Sequence, residues 1–541
     1  MGEIMAPSIQ PMFNDSSPTS NGCRGLLYAL VVLLCAVPIG AEVELTARVP
    51  VETIQLENGM RFLLVARPEM TTVAAGWVVE VGSADEEPGQ TGLSHLLEHL
   101  MFKGTRNVGT RDIERERILL DREDRLQSNL RALRAEQLEV GAKKRTQLDR
   151  RVGHIEGQLN QVQAEARSIS LLGQFSLLYS RLGAVGLNAH TLRDLTFYYV
   201  TVPAEKLEAW FWLESDRLLE PVFREFYKEL DVLHEERRLR IDSNPTGSAD
   251  EQLKAEFWDP HPYAWDPQGA PEDLERLTRE AARGFFRQHY TPGRITAALV
   301  GDFDISQARE LAVRYFGRIQ ARRSPPRREV PWLVDGGKEA ERTLSLECDC
   351  PPQVQVLYPS AAFGEPDSRT LEVMAAVLNG RSGRLYRSMV LGDGIAFSTS
   401  ALQSPLRQAG YFSFRAETKG DSTPETLLVA WDREVARLQS EPVTAEELLR
   451  AKNRLAADSF RRLKDPSSLL AQLLVYQGMG DWSEINTWPR QVLEIDADEI
   501  QAAARRNLEP NRKTVGLYNQ SASGSPPSTA TAGRGSEEGT P

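Results

Sequence analysis

Apolar positions along this chain switch repeatedly between the two-residue period of strands and the three-to-four-residue period of helices. Residues 74–83 form an apolar, β-branched run that predicts a strand, and the acidic, glycine-rich residues 84–92 predict the turn that leaves it. Residues 186–191 and 196–202 predict two more strands, the second alternating aromatics with threonine and valine, and the apolar residues 295–300 predict another. The second half repeats the theme. Residues 353–358 are strand-like, 367–378 helical, 395–401 and 410–416 strand-like, and 426–438 and 445–462 form paired helices. The repeated order predicts two α+β domains of related layout, at about residues 51–320 and 330–518, with the Pro- and Arg-rich residues 322–328 as a joint.

One stretch interrupts the echo. Charge dominates residues 111–170, yet Leu119, Leu126, Leu130, Leu133 and Val140, then Leu148, Val152, Ile155, Leu159, Val162 and Ile169, fall on a seam with the spacing of a coiled coil. Gly141 and the basic Lys143-Lys144-Arg145 divide the seam into two arms. This predicts an antiparallel helical hairpin inserted in the first half, serving as rigid decoration or a dimer contact rather than binding substrate.

Chemistry concentrates in His95-Leu96-Leu97-Glu98-His99. On a helix the two histidines stand one turn apart with Glu98 beside them. Two imidazoles plus a carboxylate from elsewhere suit zinc, which in catalytic sites keeps three protein ligands and one position for water. A neighbouring carboxylate can then take a proton from water and pass it to the leaving amine. The order His-x-x-Glu-His is the inverzincin signature, although a histidine pair with a salt-bridging glutamate on a surface helix fits the bare five residues as well.

With Gly92 before it and Phe102-Lys103-Gly104-Thr105 after it, the motif resembles the G-x-x-H-x-x-E-H-x-x-F-K-G-T run of the pitrilysin/insulinase family of metallopeptidases. The resemblance implies a zinc-dependent endopeptidase acting on peptides or unfolded segments. His95 and His99 would be ligands, Glu98 the general base, and a glutamate on a later helix the third ligand. Residues 229–238 look like that helix. The match puts the ligand at Glu236, with adjacent Glu235 as its rival, and makes Glu229 a supporting acidic residue of the catalytic group; His234 falls on another face. Asn188, Ala189 and Thr191 resemble the family's edge strand, on which a substrate peptide adds as a further strand. The same residues would also suit an ordinary core hairpin.

The implied architecture is two homologous domains, each a mainly antiparallel sheet packed with helices, facing each other around a peptide-sized chamber. The second would be noncatalytic. Relatives that grip substrate from that half carry an arginine and a tyrosine seven residues apart, where this chain has Val390 and Phe397. Neither supplies the missing donor groups. The resemblance thus implies either a second peptidase-like subunit or a homodimer supplying the pair, or compensation by Arg384, Tyr386 or Arg387. A noncatalytic scaffold that keeps the fold is the alternative.

Composition narrows these readings. The chain has 541 residues, 41% hydrophobic and 26% charged, which suits a multidomain globular protein. Its net charge of −12 argues against a nucleic-acid partner and is compatible with basic peptides. An apolar run at 26–39, followed by Gly40 and Ala41, predicts a signal peptide over residues 1–41 and an exported, periplasmic or secreted protein. Cleavage there would remove Cys23 and Cys35 and leave Cys348 and Cys350, whose closeness in sequence argues against an ordinary disulfide between them. Residues 519–541 have the Ser, Gly, Pro and Thr content of a disordered tail.

Overall fold

The computed structural model describes residues 48–327, 330 and 341–521; the expected leader and most of the expected tail lie outside them. The first half begins with β1 (Glu52–Gln55), β2 (Arg61–Ala66), β3 (Thr72–Val79), α1 (Leu93–Leu100), α2 (Ile113–Glu139), α3 (Ala142–Ile169), α4 (Gln174–Arg181), β4 (Val185–Thr191) and β5 (Thr196–Pro203). It continues through α5 (Leu207–Leu219), α6 (Phe226–Arg237), α7 (Gly247–Trp258), α8 (Pro271–Leu274), α9 (Arg279–His289), β6 (Ile295–Gly301) and α10 (Ile305–Phe316). The second half comprises β7 (Arg342–Cys348), β8 (Gln353–Ser360), α11 (Pro366–Leu378), β9 (Ala396–Pro405), β10 (Gly410–Thr418), α12 (Pro424–Ser440), α13 (Ala445–Lys464), α14 (Pro466–Met479), α15 (Glu484–Glu494), α16 (Ala497–Asn507) and β11 (Thr514–Gln520).

The two halves share one topology. The first sheet has the order β1-β2-β6-β3-β5-β4 and the second β7-β11-β8-β10-β9. In each, one pair is parallel, β2 with β6 and β7 with β11, and all other neighbours are antiparallel. From that pair onward the orders correspond strand for strand, with β1 as the first sheet's addition. The expected α+β fold of two homologous domains is therefore what the chain adopts.

Strand β3 shows how the cores are divided. Its residues are buried on both faces. Val73, Ala75, Trp77 and Val79 point into a core with α1, α5, α9 and α10, while Ala74 and Val78 point the other way. The second sheet likewise sends Val354, Val356, Tyr358, Phe412 and Phe414 into a core of its own with α11, α12 and α16. The remaining faces meet in a third core, to which each half contributes a helix. From the second half, α14 lays Leu469, Leu470, Leu473 and Leu474 against β3 and β6; from the first, α7 lays Leu253 and Phe257 beside β7 and β11. Glycines make room for both. A Cβ on Gly76 would stand 2.9 Å from Leu474, and one on Gly516 3.0 Å from Leu253. The space between the sheets is thus filled by exchanged helices, which corrects the expectation of an internal chamber there.

Two further readings are corrected at the end of the chain and beside β7. Strand β11 runs to Gln520, so Asn519 and Gln520 belong to the sheet rather than to a tail. Cys348 and Cys350 are joined by a disulfide, their Cα atoms 5.2 Å apart. Alternate residues of a strand share a face, and the bend where β7 ends closes the remaining distance.

Helices α2 and α3 run back along each other around Leu119, Leu126, Leu130, Leu159 and Val162. Their root is bound by charge to the rest of the first half. Arg224, 2% exposed, donates through Nε and Nη2 to the two oxygens of Glu116, each at 2.9 Å, and also to the carbonyls of Lys103, Thr105 and Val108. Fully buried Arg279 donates to Glu123 at 2.7 Å and Asp124 at 2.5 Å. The first turns of α2 therefore neutralise cations that organise the loop after α1 and the approach to α6. Breaking a buried pair strands its partner's charge, so Glu116→Gln is expected to cost about 3–5 kcal/mol. The exposed neighbour Glu114→Gln should cost under about 0.5 kcal/mol. Urea unfolding of the two variants checks the difference.

Candidate metal centre

Helix α1 starts where the chain can turn only at glycine. Gly92 has a φ of 87°, and a Cβ there would lie 2.6 Å from Leu274. The carboxylate of Glu86 accepts from the backbone N–H of Gly92 at 2.9 Å and of Ser94 at 2.7 Å, supplying partners that a helix start lacks. Burial pushes Glu86 up to about 8 against those donors. Leu93, Leu96, Leu97 and Leu100 fill the first core, and His95 and His99 stand together on another side, their ring centroids 4.9 Å apart.

Helix α6 meets them with acids. Phe226, Leu230 and Leu233 seat it in the core, while Glu229 and Glu236, two turns apart, face α1. Glu236 Oε2 lies 3.6 Å from His95 Nε2 and 3.4 Å from His99 Nε2. The three ligand atoms all fall within 4.8 Å of one another. Ligands about 2.1 Å from a tetrahedral zinc stand roughly 3.4 Å apart, so the donor chemistry suits zinc and both contacts to Glu236 have that spacing. Glu235 is exposed and paired with Arg238 at 2.6 Å, which separates it from its neighbour. His234 is not part of the cluster.

Supporting groups surround these three. His99 Nδ1 lies 3.3 Å from Glu229 Oε2, and Lys103 donates to Glu229 Oε1 at 2.5 Å. A carboxylate on the far nitrogen of an imidazole orients the ring and makes its other nitrogen a better ligand. Arg240, in the π-helical turn that follows α6, pairs with Glu236 Oε1 at 2.5 Å. His95 Nδ1 is buried with no hydrogen-bond partner among the described residues.

The titration of the group follows. Burial, then the nearby His99, pulls His95 down to about 4. Burial also disfavours charge on His99, but Glu229 and Glu236 outweigh it and hold the ring at about 9. Glu236 sits at about 2, its own burial outweighed by His99, His95 and Arg240. Glu229 is likewise lowered, because His99 and Lys103 overcome its burial. Burial raises Glu98, opposed by a hydrogen bond from Thr191 Oγ1 at 2.6 Å.

Strand β4 is the outer edge of its sheet and carries Asn188, Ala189 and Thr191. Its pairing with β5 shifts register between Val185 and Asn188. The Asn188 side chain accepts from the N–H of Ala189 at 2.9 Å. Thr191, read from sequence as part of a substrate strand, lies on this edge and its hydroxyl also donates to the carboxylate of Glu98. The roles of Lys103 and Arg240 were missed; Arg240 was detectable, being four residues after Glu236. In the second half Val390 packs at the core and Phe397 is 67% exposed on β9. Arg384 is committed to Glu447, with contacts of 2.9 and 2.8 Å, while Tyr386 is half-buried and Arg387 exposed.

Residues 61–118 match the family described as Insulinase (Peptidase family M16), and residues 276–455 match the Peptidase M16 inactive domain. Glu229 and Glu236 lie between the matched stretches. A relative named Zinc protease PqqE from Helicobacter pylori is 23% identical over 501 residues, covering 91% of this chain and 98% of its own length. An uncharacterized zinc protease of Mycobacterium leprae is 24% identical over 84% of this chain and 88% of its own. Among solved structures, a protease from Helicobacter pylori aligns with a TM-score of 0.70 at 21% identity, covering 86% of this chain and 99% of that one. Pitrilysin aligns at 0.63 and 18%, covering 86% of this chain and 44% of that one.

The geometry predicts that His99→Ala and Glu236→Gln lose bound divalent metal, whereas Glu235→Gln keeps it. Elemental analysis after dialysis, on variants with unchanged circular dichroism, checks this.

Proposed function

The chain belongs to the insulinase family of peptidases, M16, and from that premise we propose that it is a zinc-dependent endopeptidase acting on peptides or unfolded segments. The observation that carries the reading is the meeting of His95, His99 and Glu236 beside a buried fourth group, Glu98. His95, His99 and Glu236 would hold the zinc, which when bound would supply Lewis-acid polarisation of the scissile carbonyl and a lowered pKa for water. Glu98 takes the proton from the attacking water and later delivers it to the leaving amine. Its raised pKa suits both steps, because a carboxylate disfavoured as an anion is a better proton acceptor. Glu229 and Lys103 hold the His99 ring, and Arg240 holds Glu236 against rotation. The free edge of β4 would receive substrate backbone, which favours extended chains over folded ones.

A second chain completes this reading. The clamp positions hold Val390 and Phe397, Arg384 is tied to Glu447, and the faces between the two sheets are filled. A peptide-enclosing chamber would therefore form between this chain and a second peptidase-like subunit or another copy. The apolar run at 26–39 supports action after export. The alternative, a noncatalytic scaffold, draws on the incomplete clamp.

Zinc-loaded protein is expected to cleave a mixed peptide library, and Glu98→Gln to lower turnover about 10²- to 10⁴-fold while retaining zinc. Zinc retention without Glu98-dependent cleavage, either alone or as an assembled oligomer, would favour the scaffold.

A further inference from the structure

The turn between β4 and β5, residues 192–195, connects Thr191 to the second half of the molecule. On one side it is held by its own half. Ser83 N–H donates to the Leu192 carbonyl at 3.1 Å and Ala84 N–H to the Arg193 carbonyl at 2.8 Å, while Thr196 Oγ1 lies 3.4 Å from Thr191 Oγ1. On the other side stands Arg407, at the tip of the hairpin between β9 and β10. Its backbone N–H donates to Asp194 Oδ2 at 3.0 Å, and its Nη2 donates to the Asp194 carbonyl at 2.5 Å and to the Gly478 carbonyl. Asp194 is 1% exposed, and its other oxygen accepts from Tyr263 at 2.7 Å. The Tyr263 hydroxyl in turn accepts from the N–H of Gln408.

One guanidinium thus joins three pieces of backbone: the β4–β5 turn of the first half, and the β9–β10 turn and α14 of the second. The junction is close-packed. A Cβ on Gly478 would come within 2.6 Å of Leu195, in the same turn, and 3.0 Å of Val78. The strand end that leaves the turn carries Thr191, whose hydroxyl donates to Glu98.

We infer that Arg407 is a positioning residue for the proposed reaction: by locking the β4–β5 turn to the second half it sets Thr191 against Glu98 and fixes the substrate-facing edge of β4. The inference rests on the peptidase reading for its kinetic part, and on contacts alone for its mechanical part. It gives the noncatalytic half a definite task without any group that touches substrate. Both carbonyls accept from the one Nη2, and lysine at this position keeps a charge but carries it on a shorter, flexible stem in place of the rigid guanidinium that holds that nitrogen between them. Arg407→Lys is therefore expected to restore only part of what Arg407→Ala loses.

Hydrogen–deuterium exchange and kinetics on the full chain test both parts. In Arg407→Ala, amides of residues 188–196 are expected to exchange about tenfold faster, with α1 and α6 unchanged and bound zinc retained. Turnover should fall about 10- to 100-fold with KM within about twofold, the signature of a misplaced catalytic group rather than lost binding. Combining Arg407→Ala with Thr191→Val should cost less than the sum of the two, because both act through one contact. Unchanged exchange over residues 188–196, or strictly additive losses, overturns the inference. Should the alanine variant fail to fold, Arg407→Lys carries the same comparisons. If the unaltered chain cleaves nothing, either alone or as an assembled oligomer, the peptidase reading fails, and the exchange data still decide whether Arg407 holds the turn.

Discussion

The exchange of helices across the shared core is the constraint on which the rest of the structure depends. Neither sheet could keep one of its faces dry with its own half alone. Four leucines of α14, each at most 1% exposed, cover β3 and β6, and fully burying such a side chain contributes about 1.5–3 kcal/mol. That coverage fixes β3, whose opposite face seats α1 and so the two histidines. The reciprocal placement of α7 fixes the segment directly after Glu236. Both contributors to the candidate metal centre are therefore anchored by contacts with the second half, although every group of that candidate centre comes from the first.

Within that frame, the centre is held together by charge. Glu229 and Glu236 on α6 share one basic partner, His99, while Lys103 and Arg240 balance them from either side. The far sides of the candidate ligands are tied down, His99 Nδ1 by Glu229 and Glu236 Oε1 by Arg240, while the atoms that would face an ion stand 3.4 and 3.6 Å apart. The root of the hairpin extends the same logic, since Glu116 balances Arg224, and Arg224 holds the loop that presents Lys103. An insertion that looks peripheral in sequence contributes a buried counter-charge close to the centre.

Much of this was legible beforehand. Spacing alone placed His95, Glu98 and His99 on one helix, and the strict seam from Leu119 to Ile169 announced two long arms, because periodicity records local burial. The choice between Glu235 and Glu236 was different: adjacent residues on a helix differ only in direction, and direction has meaning only once α1 is in place. The exchange of α7 and α14 left no local trace either. An amphipathic pattern states that a helix buries one side, not whose sheet receives it. Thr191 shows a related limit, since the sequence placed it on an edge strand but carried no sign that its hydroxyl meets Glu98. Cys348 and Cys350 failed on a bend that sequence spacing does not reveal.

The exchanged helix α14 also carries a consequence for the order of events as the chain is made. Strands β2, β3, β5 and β6 are complete once residue 301 has been synthesised, yet the apolar face formed by Leu63, Val65, Val78 and Val300 waits for residues 466–479. Through all the intervening synthesis the first half has a finished sheet with one greasy side open to solvent, a state prone to self-association. Contacts between segments so far apart in sequence also form slowly. The exposed side would offer a holding chaperone a surface to cover over a defined window, which closes when α14 arrives.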